Sequence, residues 1–105
     1  MASLPVGDLL LELDPEGYLR DPEQWNEHVA DALAVTVGVT VLTERHWLVV
    51  HALRSYWLEY AAAPAVRQLC RQTRLTLREI YELFPTGPAR GACKVAGLPH
   101  PNGCV

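Results

Sequence analysis

Thr43-Glu44-Arg45-His46-Trp47-Leu48-Val49-Val50-His51-Ala52-Leu53-Arg54-Ser55-Tyr56-Trp57-Leu58-Glu59-Tyr60 reads as one helix from its cap to its last apolar residue. Thr43 is a capping residue, and Glu44 puts a negative charge in the first turn, where unpaired N–H groups favour it. From Trp47 onward the apolar positions Trp47, Val49, Val50, Leu53, Tyr56, Trp57 and Tyr60 cover most sides, with His51 and Arg54 as polar interruptions. A helix this apolar belongs at the centre of a small domain. The stretch therefore predicts a mainly α protein built around it.

Upstream, Asp21 can cap a helix, Pro22 suits the first helical position, and Gln24 can reach back to close a capping box. Trp25, Val29, Ala32, Leu33 and Thr36 then follow at helical spacing, Gly38 ends the run, and Val39–Leu42 is a short extended connection. Residues 1–20 read as extended. Leu9–Leu13 is an apolar strand, Asp14-Pro15-Glu16-Gly17 is a turn, and Tyr18-Leu19 is the expected returning strand of a small β-hairpin.

Downstream, Pro64 opens a third helix that carries Val66, Leu69 and Cys70 inward and ends near Thr73. Thr76-Leu77-Arg78-Glu79 is a second capping box and starts a short fourth helix through Ile80 and Tyr81. After the Phe84–Pro88 turn, a fifth helix runs from Ala89 to Ala96, with Gly97 in the C′ position and Pro99 as a stop. The tail, residues 97–105, holds two prolines and two glycines and cannot be helical. The chain thus divides into a body, residues 1–96, and a mobile C-terminal arm, residues 97–105, within a single domain.

A chain of 105 residues, half of them apolar, has room for one modest core. A net charge of −3 gives no global reason to bind nucleic acid. The N-terminus lacks the basic region of a secretory signal, and the apolar runs Trp47–Val50 and Ala61–Ala65 are too short to span a bilayer. The expectation is a cytoplasmic protein. Three cysteines, an odd number, do not make a disulfide scaffold in a reducing compartment, so their positions must decide what they do.

Cys104 is the penultimate residue, where a thiol can enter another protein's pocket, although a stray thiol on a frayed end is the bland alternative. The adjacent terminal carboxylate raises its pKa, so a cation must compensate if the thiolate is to form readily. Cys93 lies in the last helix, separated from Cys104 by ten residues, and that segment can extend over roughly 35 Å at about 3.3 Å per residue. Closing the pair is therefore a question of arm conformation. Two thiols that can meet or part suit sulfur relay, while a core filler among alanines explains Cys93 equally well. Cys70 fits a buried filler.

Arg67, Arg71, Arg74 and Arg78 form a basic run, the first three sharing a face if one helix carries them. A solvated face, a helix-turn-helix and an anion or thiolate site are all compatible with it. His46 and His51 are five apart, off the spacing that aligns two ligands on a helix face. The spacing of Cys93, His100 and Cys104 is not a familiar zinc pattern, so no metal is expected.

The C-terminal block Tyr81-Glu82-Leu83-Phe84-Pro85-Thr86-Gly87-Pro88-Ala89-Arg90-Gly91-Ala92-Cys93-Lys94-Val95-Ala96-Gly97-Leu98-Pro99-His100-Pro101-Asn102-Gly103-Cys104-Val105 resembles that of the DsrC/TusE family. Gly17-Tyr18-Leu19, Trp25, Leu42–Trp47, Leu53–Tyr56 and Ala63–Arg67 match in order, so the resemblance spans nearly the whole chain. It departs at His100, where lysine is usual, and in an unusually apolar N-terminal segment.

The resemblance implies an orthogonal helical bundle of about five helices, with an N-terminal hairpin and a flexible C-terminal arm. It also implies a sulfur carrier without cofactors, a co-substrate and not an enzyme. Relatives with the penultimate cysteine alone resemble TusE, a relay partner in tRNA 2-thiouridine synthesis served by sulfurtransferases. Relatives with both cysteines resemble DsrC, the partner of dissimilatory sulfite reductase, in which a trisulfide bridges the pair and a membrane-bound heterodisulfide-reductase-like complex reduces it. Both positions are filled here, by Cys93 and Cys104, and the short segment between Thr73 and Tyr81 looks like the sulfite-reducer type. Arg67 resembles the family's arginine near the penultimate cysteine. The competing class is a helix-turn-helix DNA-binding regulator, which the acidic net charge disfavours; no stable nucleic acid binding is expected.

Overall fold

Five α-helices and a two-stranded hairpin make up residues 2–99, the part of the chain described by the structure, a computed structural model. Strand β1 (Ala2–Val6) pairs antiparallel with β2 (Leu9–Leu13), Ala2 facing Leu13 and Val6 facing Leu9. The chain reverses at Gly7-Asp8, not at residues 14–17 as the sequence suggested. Gly7 takes a φ of 57°, which suits a two-residue hairpin turn, and Pro5 is tolerated because each strand of a two-stranded ribbon is an edge. The Asp14–Gly17 turn also forms, its Asp14 carboxylate accepting the N–H groups of Glu16 and Tyr18 at 2.9 Å. It returns Tyr18 and Leu19 to the body, with a single bridge from Leu19 to Leu13 in place of a strand.

The first helix is divided. Asp21 caps one 3-10 turn, Pro22–Gln24, and Trp25 then adopts an extended backbone. Asn26 starts α1 (Glu27–Thr36) afresh, its side-chain oxygen accepting the Val29 N–H at 2.9 Å. Along α1, Val29 and Leu33 join Leu11, Leu13 and Leu19 in a small core under the hairpin, while Ala30 and Ala34 face the main core. Trp25 borders both cores.

Helix α2 (Glu44–Tyr60) occupies the centre, as expected, but buries one side: Val49, Val50 and Leu53 are enclosed, whereas Leu58 and Tyr60 project into solvent. Each fully buried aliphatic contributes about 1.5–3 kcal/mol relative to exposure. His46 ties the start of α2 to Leu83, accepting the Thr43 N–H at Nδ1 (3.0 Å) and donating from Nε2 to the Leu83 carbonyl (2.8 Å).

Helix α3 (Val66–Thr73) stops where Arg74 turns left-handed, so Arg67 and Arg71 share it and Arg74 does not. Thr76 and Glu79 form the expected capping box at the start of α4 (Leu77–Leu83). The last helix is not one α-helix. Pro88–Ala92 is wound more widely, with the Cys93 N–H reaching the Pro88 carbonyl, and α5 (Cys93–Val95) adds a single α turn. Gly97 sits at C′, as expected, with a φ of 70°. Its N–H bonds Lys94 O at 3.0 Å, and the Leu98 N–H bonds Cys93 O at 3.1 Å. This is a Schellman cap, and Leu98 completes it by packing into the core. Gly97 and Leu98, which the tail's punctuation assigned to the arm, therefore pack on the body.

Candidate functional site

The wide turn Pro88–Ala92 delivers Cys93 into the main core, where it is 1 % exposed beside Ala92 and Ala96. Such turns within helices recur at functional positions. Tyr18, arriving from the Asp14–Gly17 turn, lies close to Cys93 and donates its hydroxyl to Ala89 O at 2.9 Å. Burial, and then the electrostatic influence of Cys93 and Glu16, push the Tyr18 pKa up to about 12, against an opposing pull from Arg90. Lys94 Nζ stands 5.2 Å from the Tyr18 ring centroid, within cation–π range. Glu16, Tyr18, Arg90 and Lys94 line a hollow of about 310 Å³ on the outer side of this turn.

The chemistry of this arrangement is that of a shielded thiol with cations at its margin. Cys93 is withheld from bulk solvent, so a reaction partner must be brought to it by local opening or by a segment that packs against it. Cys104 and His100 lie outside the described residues. The buried Leu98 nevertheless bounds the geometry, since the six residues from it to Cys104 reach at most about 20 Å when extended.

Arg67 is exposed on α3, where Val66, Arg67, Cys70, Arg71 and Leu77 line a separate hollow. Cys70 is half-buried there and not the fully enclosed filler that the sequence suggested. The contact expected between Arg67 and Cys104 falls outside the described residues. Among the described residues no group of three His, Cys, Asp or Glu side chains is placed to hold a metal ion, and no helix is long and apolar enough to cross a membrane. Sequence reasoning missed Tyr18, Arg90 and Lys94 as neighbours of the Cys93 turn. The spacing of Arg90 and Lys94, one turn apart around Cys93, was the available signal.

Comparison with known proteins gives a consistent result. Residues 6–105 match the family model described as DsrC-like protein. The chain is 36 % identical to the dissimilatory-type sulfite reductase subunit gamma of Nitratidesulfovibrio vulgaris, covering all of both chains. It is 39 % identical to the sulfurtransferase TusE of Escherichia coli over 102 residues, 90 % of this chain and 93 % of that one. The crystal structure of the oxidised gamma subunit (DsrC) of the dissimilatory sulfite reductase from Archaeoglobus fulgidus superposes with a TM-score of 0.89 at 43 % identity, over 99 % of this chain and 100 % of that one.

Proposed function

This chain belongs to the DsrC family, and on that premise we propose that it is a sulfur carrier that bears sulfur on Cys104 and uses Cys93 as the resolving thiol. The observation that supports this most is the placement of Cys93: a shielded thiol at a widened helical turn, with Leu98 fixing the start of a short tether to the penultimate cysteine. In this reading Cys104 is presented to partner proteins and then meets Cys93.

A persulfide on Cys104 holds a transferable outer sulfur. When the Cys93 thiolate attacks the inner sulfur, a Cys93–Cys104 disulfide forms and the persulfide bond breaks. The outer sulfur leaves as hydrosulfide with the bonding electron pair. Where sulfur is retained, it bridges the two cysteines as a trisulfide. Sulfite is then the oxidant, its sulfur taking two electrons from the reductase and the rest from the two thiols as both S–S bonds form, and its three oxygens leave as water. Reduction by an external donor then restores both thiols and releases the bridging sulfur as hydrogen sulfide.

In this reading dissimilatory sulfite reductase loads the carrier in the cytoplasm, and a membrane-bound heterodisulfide-reductase-like complex supplies the reducing electrons. The chain is a co-substrate of these enzymes. Arg67 supplies a cation that favours the Cys104 thiolate. A TusE-like role, passing sulfur from sulfurtransferases toward tRNA 2-thiouridine, is the second reading, favoured by the 39 % identity to the Escherichia coli protein.

The test is turnover of purified dissimilatory sulfite reductase with sulfite and this chain. Loss of the Cys93 and Cys104 thiols in proportion to the sulfite consumed supports the co-substrate role. Sulfite consumption that leaves both thiols intact contradicts it.

A further inference from the structure

Trp25 leaves the helical pattern of its neighbours and extends to the far end of the chain. Its indole N–H donates to Val95 O at 2.8 Å. Its ring lies against Gly97 so closely that a Cβ at that position would stand 2.3 Å from the indole Cδ1. Arg54, projecting from α2, places its guanidinium carbon 4.6 Å from the Trp25 ring centroid and 5.8 Å from that of Trp57. The same guanidinium donates to Pro22 O and Ala96 O, each at 3.2 Å. Residues 95–97 are thus gripped at two carbonyls and one α-carbon by side chains from two other elements.

This arrangement is specific. A cation stacked on an indole is held more strongly as it is desolvated, and Arg54 is half-buried between two tryptophans. Its five donors in a fixed fork allow one guanidinium to stack and to serve two carbonyls at once. The grip also falls at a strategic point. Val95, Ala96 and Gly97 form the junction between the turn that holds Cys93 and the residues that lead to Cys104.

We propose that Trp25 and Arg54 are positioning residues that fix the direction in which the chain leaves the body at Gly97, and so set how readily Cys104 meets Cys93. The proposal rests on the carrier reading, in which that encounter is the working step. With only five residues between Leu98 and Cys104, the orientation of the last described turn weights how readily the two thiols meet, and hence the effective concentration of one thiol at the other.

The test measures the thiol–disulfide equilibrium of the full chain in a glutathione redox buffer. Cys93 and Cys104 give two electrons and two protons to glutathione disulfide, which becomes two glutathione thiols. Parent, Arg54→Met, Arg54→Lys and Trp25→Phe are compared under conditions where each is folded by circular dichroism. Arg54→Met and Trp25→Phe are expected to lower the effective concentration about fivefold, and Arg54→Lys, which keeps the cation over the ring, to recover part of it. A merely structural role would lower unfolding midpoints and leave the folded-state equilibrium unchanged. Folded Arg54→Met and Trp25→Phe variants that stay within about twofold of the parent, or exceed it, overturn the proposal. If Arg54→Met does not fold, Trp25→Phe decides by the same criterion. A parent that forms no Cys93–Cys104 bond overturns the carrier reading itself, and the clamp's role with it.

Discussion

The Tyr18 hydroxyl donates a 2.9 Å hydrogen bond to the carbonyl of Ala89, in the turn that leads directly into Cys93. The N-terminal segment is thereby tied to the C-terminal turn across most of the sequence. Tyr18→Phe removes the donor and leaves Ala89 O without it, a loss of about 0.5–1.5 kcal/mol in denaturant unfolding at neutral pH. The pH dependence is a sharper signature. Because folding raises the Tyr18 pKa from 10.0 to about 12, the folded state holds a proton in that window that the unfolded chain has released. The contribution of Tyr18 to stability is complete below about pH 10 and is lost as pH rises through about 12. The difference in stability between parent and Tyr18→Phe should shrink over that interval. An unchanged difference would contradict the assignment.

Helix α2 ends on Ala61 with a φ of 54°, a left-handed conformation that glycine adopts without steric cost. Ala61→Gly is expected to raise stability by about 1 kcal/mol, read as a higher thermal midpoint with the same circular dichroism spectrum. A lower midpoint would show that Ala61 is not held in this conformation.

The three thiols should alkylate in the order Cys104, Cys70, Cys93 when reagent is limiting and the products are read by peptide mass spectrometry. Cys70 is half-buried and Cys93 is 1 % exposed, so the native fold protects the latter most. Early labelling of Cys93 without denaturant would contradict the shielded site.

Arg67→Met keeps bulk while removing charge. If Arg67 favours the Cys104 thiolate, the alkylation rate of Cys104 should move to higher pH, each unit corresponding to about 1.4 kcal/mol. Arg67→Lys should restore part of the effect as a point charge. An unchanged profile, with weakened binding to sulfite reductase, would assign Arg67 to partner docking instead.

Local signals in the sequence translated well. The Thr76–Glu79 capping box, the Thr43 cap, the Asp14–Gly17 turn and Gly97 at C′ each depend on a few adjacent residues, and each appears in the structure. What was not legible depends on contacts far along the chain. Asp21 and Asn26 are both good caps, and the Trp25 indole bonded to Val95 O accompanies the division between them. The hairpin turn at Gly7-Asp8 was obscured by Pro5, which reads as a strand breaker until the strand proves to be an edge. The wide turn at Pro88–Ala92 carries no local marker. At the site, the position of Cys93 in the last helix was readable, whereas its burial and the grip of Arg54 on Ala96 O come from tertiary packing.

The most direct test of the account is to locate the sulfur. The reduced chain is loaded by sulfite reductase turning over sulfite, quenched with an alkylating reagent, and analysed by intact and peptide mass spectrometry. The account predicts one added sulfur atom in a species joining the Cys93 and Cys104 peptides, with Cys70 alkylated. In Cys93→Ser the sulfur should remain on Cys104 as a persulfide, and Cys104→Ser should not load. Sulfur on Cys70, or a Cys104→Ser chain that loads as well as the parent, would contradict it.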